Sequence, residues 1–285
     1  MKSSFVVSRP DSLVCPRCEA SKRERELLEQ ELRVARRIQQ ALLPKAAPRY
    51  EGWHITHHYR PAREVGGDFY DFLELPGGRL GLVVGDATGH GVPAAVLMAS
   101  ARSVLRAVAQ IGDATPGRVL AEANEILCAD VPTGTFVTCF YGVLDPSSGR
   151  LSYANAGHSL PCCRRQDGLA TELRATGMPL GLMPGMGYEG KETVLKAGDS
   201  TLFYSDGLVE AHNPEREMFG TPRLRGLLSE HAAGAKDLTA FLLDELERFM
   251  GEGWTQEDDI TLVSLHRSAI RNPALGNTPS TSSDE

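Results

Sequence analysis

The chain has 285 residues, 41% of them hydrophobic and 24% charged, values ordinary for a globular protein that exclude wholesale disorder, a collagen repeat and a disulfide scaffold. At roughly 100 to 200 residues per domain, this length makes one large domain with extensions or two small ones. Acidic residues outnumber basic ones by 37 to 30, for a formal net charge of -7, and no long basic stripe is present to neutralise a phosphate backbone, so nucleic acid is not an expected partner.

No window approaches the ~18 uncharged apolar residues of a transmembrane helix, and the first apolar patch is too short for a signal-peptide core. The expectation is a cytoplasmic protein with no membrane partner. Residues 1–20 carry no clear period; their Cys15 and Cys18 form a CxxC, half a zinc site without a second pair. From 21 to 44 a linker helix is predicted. Leu28, Leu32, Ala35, Ile38 and Leu42 fall on one helical stripe, and Pro44 closes it. With no helical neighbour before it, this helix is expected to dock on the following domain or to pair with a second copy of itself.

Strands are then predicted at Trp53–Tyr59, Phe69–Leu75, Leu80–Gly85, Thr135–Leu144, Leu151–Asn155, Leu160–Arg164, Ser200–Ser205 and Ile260–His266. Helices are predicted at Val92–Gln110, Pro116–Ala129, Pro222–Glu230 and Lys236–Met250. Strands grouped in sequence with paired helices between the groups indicate an α+β layered fold rather than a doubly wound parallel sheet. Cys128, Cys139, Cys162 and Cys163 lie in or beside apolar runs, where free cysteine packs as a small hydrophobe. Residues 268–285, rich in Ser, Thr, Pro and Asn, are expected to form a disordered tail.

The chemistry concentrates in the aspartates. Gly66-Gly67-Asp68-Phe69-Tyr70-Asp71-Phe72 leads into a Pro76-Gly77-Gly78 turn and then Leu80 to Asp86. A hairpin turning about Gly77 sets Asp68 opposite Asp86, with Cβ atoms about 5 Å apart and like charges opposed. Arg79 stands at the far, turn end, so no cation within the hairpin relieves them. A divalent ion would, and oxygen-only ligation points to Mg²⁺ or Mn²⁺. Asp206 follows a third apolar strand, and Asp258 and Asp259 precede a fourth. Any one of these alone reads as turn chemistry, as Asp199 does; four strand-end carboxylates together read as a site. His90 and His158 sit in glycine-flanked loops as candidate proton donors or phosphate contacts, and the cluster His54, His57, His58 reads as surface. GxSxG, HExxH and Walker-type phosphate-loop signatures are missing from the sequence.

Taken in order, the motifs Pro61 to Phe72, Gly85-Asp86-Ala87-Thr88-Gly89-His90-Gly91, Tyr153 to His158, Tyr204-Ser205-Asp206-Gly207-Leu208-Val209-Glu210-Ala211 and Asp258 to Val263 resemble those of the SpoIIE/RsbU-type serine phosphatases. These form the bacterial branch of the metal-dependent protein phosphatase (PPM) superfamily. The resemblance covers residues 50–267, and Ala35 to Pro44 is similar to the linker preceding such domains. It implies a four-layer αββα sandwich of two antiparallel sheets flanked by helix pairs, with two Mn²⁺ or Mg²⁺ ions at one edge. Asp86 would bridge them, the carbonyl of Ala87 would ligate one, and Asp68, Asp206 and Asp258 would complete the shell directly or through water. Asp259 stands where the wider superfamily often has asparagine, and Arg63 where related enzymes keep a phosphate-binding arginine. Asp86, Arg63 and His90 make up the implied catalytic set. The implied function is a phosphoserine/phosphothreonine protein phosphatase acting through a metal-activated water, with a phosphorylated anti-sigma-factor antagonist as substrate. The alternatives are a binding module that sequesters a phosphoprotein with little turnover and a hydrolase of small phosphate esters.

Overall fold

The computed structural model describes residues 16–111, 114–231, 237–253 and 255–268. Cys15, the side chain of Cys18 and the expected tail beyond Ser268 lie outside the described residues. One five-stranded sheet runs in the order β2 (Asp68–Leu75), β3 (Arg79–Ala87), β4 (Val137–Asp145), β5 (Arg150–Ala156), β8 (Lys191–Val194). The other runs β1 (Trp53–Arg60), β10 (Ile260–Arg267), β9 (Ser200–Tyr204), β6 (Cys162–Arg164), β7 (Ala170–Glu172). Every pairing is antiparallel. Helices α2 (Val92–Gln110) and α3 (Pro116–Asp130) cover the first sheet, and α5 (Gly220–Glu230) and α6 (Leu238–Met250) cover the second. The result is the α+β sandwich of four layers that the sequence led us to expect.

Both faces of the central strands are buried, which is why Leu80 to Val84 reads as an unbroken apolar run rather than an alternation. Phe140 of β4 meets Phe203 of β9 at 5.3 Å between ring centroids, so Val84, its register partner, also faces the opposite sheet. Val83 and its partner Tyr141 face the helices. Sequence patterning missed β7 and β8 because they are edge strands of only three and four residues. It also missed α4 (Asp206–Val209), a single turn.

By length and mean hydropathy α2 is long and apolar enough to cross a membrane, with 19 residues and a window of mean hydropathy 1.4, but Arg102 and Arg106 interrupt it, so it holds no uncharged run of that length. Its apolar side is instead spent on the sandwich through Ala94, Met98, Ala101, Leu105 and Val108. Its arginines Arg102 and Arg106 grip the buried carboxylate of Asp71 on β2 at 3.0 and 2.7 Å. The linker helix α1 (Pro16–Leu42) begins earlier than predicted, and only part of its apolar stripe is covered: Leu28 and Ile38 are 57% and 59% exposed. The docked line runs through Leu32, Ala35, Gln39 and Leu42 to Leu43. A polar residue takes the most protected helical position because its amide satisfies both backbone groups of Gly66, donating to the carbonyl (2.7 Å) and accepting from the N–H (3.1 Å).

Candidate functional site

The β2–β3 hairpin turns through Pro76–Gly78, with Gly77 at φ 75°, and sets Asp68 directly opposite Asp86. Cross-strand partners project on the same face, so the two carboxylates oppose each other at the open end of the sheet. Asp68 is 1% exposed, and its Oδ2 accepts from the Thr261 hydroxyl at 2.6 Å. Burial, and then the charges of Asp86 and Asp259, hold its carboxyl well above the usual range. Burial likewise pushes Asp86 up to about 8, with Asp206, Asp258 and Asp259 adding to the shift. Asp206, first residue of α4, is raised by burial and by Glu210 and Asp259. Asp258 is raised by burial and by Asp206 and Asp259, against the lowering effect of the nearby His90. Four carboxylates from three chain regions thus share one field, and that field disfavours their ionisation unless positive charge joins them.

Asp258 and Asp259, adjacent in sequence, have opposite settings. Asp259 spends both oxygens on backbone: Oδ1 accepts from the N–H of Ala62 (2.7 Å), and Oδ2 from those of Gly67 (2.7 Å) and Asp68 (3.3 Å). It fastens the segment carrying Asp68 to the start of β10, whereas Asp258 makes no such contact and lies within reach of the charges of Asp206 and His90. A Cβ at Gly66 would overlap the Asp259 carboxylate, and one at Gly67 would lie 2.5 Å from Ala87 O and 3.0 Å from Asp86 Oδ1. Only glycine permits this approach. The same cradle places the Ala87 carbonyl and the Asp86 carboxylate beside one another.

Arg63 and His90 come from separate loops and meet at the exposed side, with Arg63 Nη1 3.0 Å from His90 Nδ1. His158 is set apart from them. It is 7% exposed, its Nδ1 lies 2.8 Å from Thr138 Oγ1, and burial drives it down to about 4. It is therefore neutral at ordinary pH and sits behind Thr138, the register partner of Asp86, so it is not the exposed proton donor that its loop position suggested. Asp199 is a turn carboxylate holding Arg165, Gln166 and Lys196. Sequence reasoning passed over Gln39 and Thr261. The signal for Gln39 was a polar residue interrupting the helical line of Leu32, Ala35 and Leu42; Thr261 left none.

As a test of metal fit, the donor set is all oxygen and suits Mg²⁺ or Mn²⁺ rather than a soft ion. The close approach at Gly67 sets the Ala87 carbonyl and the Asp86 carboxylate side by side as two donors, and the mutual repulsion of Asp68, Asp86, Asp206 and Asp258 gives such an ion an electrostatic purpose. Among the described residues no three Asp, Glu, His or Cys side chains close on a single point tightly enough to hold an ion as they stand. The carboxylates stand at strand ends of both sheets, Asp68 and Asp86 on one and Asp206 and Asp258 beside the other.

Two facing antiparallel sheets between helix pairs, with carboxylates at one edge, define the architecture of PP2C-type protein phosphatases. The PP2C domain of SiaA from Pseudomonas aeruginosa superposes with a TM-score of 0.73 at 26% identity, over 85% of this chain and 98% of that one. The chain belongs to the SpoIIE family: the family model described as Stage II sporulation protein E matches residues 76–268. That span includes Asp86, Asp206 and Asp258 and begins after Asp68. Protein IcfG of Synechocystis sp. is 31% identical, over 84% of this chain and 42% of its own length. Phosphoserine phosphatase RsbU of Bacillus subtilis is 28% identical, over 84% of this chain and 71% of its own. The chain therefore spans less than half of the first relative and about 71% of the second.

Proposed function

We propose that the chain is a metal-dependent protein-serine/threonine phosphatase whose centre is built on Asp68, Asp86, the Ala87 carbonyl, Asp206 and Asp258. The observation that carries this reading is the facing pair Asp68–Asp86, in one electrostatic field with Asp206 and Asp258. A pair of Mn²⁺ or Mg²⁺ ions held there would lower the pKa of water and neutralise phosphoryl charge. Magnesium and manganese complexes of fold neighbours support that choice of ions.

The chain's own groups supply the rest. Thr261 and the Asp259 staple hold Asp68 and its backbone in place. The Arg63 guanidinium, a fixed fork of donors, binds phosphoryl oxygens on the exposed side. His90 beside it, whose Nδ1 accepts from the Arg63 guanidinium, turns its Nε2–H to the departing serine oxygen as a hydrogen-bond donor. The substrate is a phosphorylated anti-sigma-factor antagonist, a reading supported by the phosphoserine phosphatase RsbU among the relatives. The exposed Leu28 and Ile38 of α1 pair with a second copy of the helix, and the protein acts in the cytoplasm.

Hydrolysis of p-nitrophenyl phosphate and of a serine-phosphorylated antagonist, measured across a Mn²⁺ titration with and without chelator, tests the proposal. A rate indifferent to chelator rejects it. A phosphoprotein that co-elutes with the chain and keeps its phosphate favours the binding-module alternative.

A further inference from the structure

Residues 176–187, Thr-Gly-Met-Pro-Leu-Gly-Leu-Met-Pro-Gly-Met-Gly, link β7 to β8 and contribute nothing to the carboxylate edge. They are nonetheless firmly held. Leu180 exchanges backbone hydrogen bonds with Val137 at 2.8 and 2.9 Å. The fully buried Asn124 of α3 donates to Met183 O (2.9 Å) and accepts from Gly181 N–H (3.0 Å). Glu125 accepts from Gly185 N–H (2.6 Å) and Glu189 from Thr176 N–H (3.0 Å). Despite this anchoring, Met178, Leu182 and Met183 are 47%, 40% and 54% exposed. A pinned segment holding large apolar side chains in water is the pattern of an interaction surface.

Its place in the fold says what covers it. Val137 pairs with Ala87 on one side and with Leu180 on the other, so the segment extends the sheet edge that carries the candidate centre. Leu180 lies two strand spacings, about 10 Å, from Ala87. A protein partner covers about 800 Å² of surface, a disc about 16 Å in radius. A footprint of that size centred on Asp86 reaches this segment, while a small ester does not.

We propose that Met178, Leu182 and Met183 form the docking platform for a folded phosphoprotein, meeting an apolar patch beside its phosphoserine. The inference rests on the phosphatase reading above and adds the class of substrate: a folded domain in preference to a flexible phosphopeptide. Two methionines, unbranched and polarisable, suit a surface that adapts to its partner.

The test is the double variant Leu182→Glu with Met183→Glu, with Met178→Glu as a separate single-site check. Three probes are compared under Mn²⁺: p-nitrophenyl phosphate, a folded serine-phosphorylated anti-sigma-factor antagonist, and a short peptide carrying the same phosphoserine. The expected result is a loss in kcat/KM of about tenfold or more on the folded protein, carried by KM, with the ester and peptide rates kept. Equal rates of variant and wild type on the folded protein overturn the proposal. So does a wild type that handles the peptide as well as the folded protein, and so does a parallel loss on the ester, which would make the segment a support for the site itself. A wild type inactive on the ester counts instead against the phosphatase reading.

Discussion

Asp86→Asn separates the stability cost of the carboxylate cluster from its use. Without divalent ions, burial and the charges of Asp206, Asp258 and Asp259 raise the Asp86 carboxyl from 3.8 to about 8. The folded chain then keeps a proton that the unfolded chain surrenders above its ordinary carboxylate pKa. The stability tied to this group is whole below about pH 4 and drains away as pH rises through 8. At about 1.4 kcal/mol per unit the ceiling is on the order of 6 kcal/mol. Because neighbouring carboxylates share the same field, removing one charge is expected to recover about 2 kcal/mol. Asparagine keeps the shape and does not ionise. In chelator, urea denaturation should show the variant about 2 kcal/mol more stable than wild type near pH 8.5 and equal to it near pH 4. Added Mn²⁺ should stabilise wild type at the higher pH and the variant far less, since a ligand stabilises only the state that binds it. Ester hydrolysis should vanish in the variant. A variant no more stable than wild type at high pH, or one that retains the full Mn²⁺ stabilisation, would refute the reasoning.

Further outcomes follow from particular contacts. Gln39→Ala strands the N–H and carbonyl of Gly66. It should cost about 2–4 kcal/mol in urea denaturation and lower the Mn²⁺-stimulated rate; an unaltered rate would detach the linker helix from the site. Asp71→Ala leaves the guanidinium of Arg102, 10% exposed in its side chain, without its buried partner. A destabilisation of about 3–5 kcal/mol is expected, with KM unchanged at temperatures where the fold persists, and a change below about 1 kcal/mol would show the pair to be dispensable. Arg63→Ala should raise KM for p-nitrophenyl phosphate roughly tenfold with an unchanged circular dichroism spectrum; an unaltered KM would remove Arg63 from phosphate contact.

Much of the fold was legible because its signals are local. The Gly77 turn and a period of two fix the hairpin register, and the observed pairing of Asp68 with Asp86 is the one the numbering predicts. Helix α2 was delimited at Val92 and Gln110 by Pro93 and by its apolar period. The linker helix was legible as a helix but not in its docking, because periodicity counts Leu28 and Ile38 as readily as Leu32 and Ala35. It has no term for a buried glutamine that completes another segment's hydrogen bonds. The histidines show the same limit: His90 and His158 look alike between glycines, yet one stands beside Arg63 and the other is walled in behind Thr138.

The order of amino acids by itself determined most of the strands and helices, the strand-end positions of the carboxylates and an oxygen-rich donor set, since turns, strand period and side-chain chemistry act over a few residues; the pair of sheets was implied by the family resemblance. Tertiary structure alone decided that Asp259 turns inward to the N–H groups of Ala62, Gly67 and Asp68 while Asp258 does not, that Gly66 and Gly67 admit no side chain, and that Leu180 pairs with Val137, the strand neighbour of Ala87, with Met178, Leu182 and Met183 exposed near it. Each of those outcomes depends on contacts between segments far apart along the chain. Burial and hydrogen bonding there are settled only once both sheets are in place.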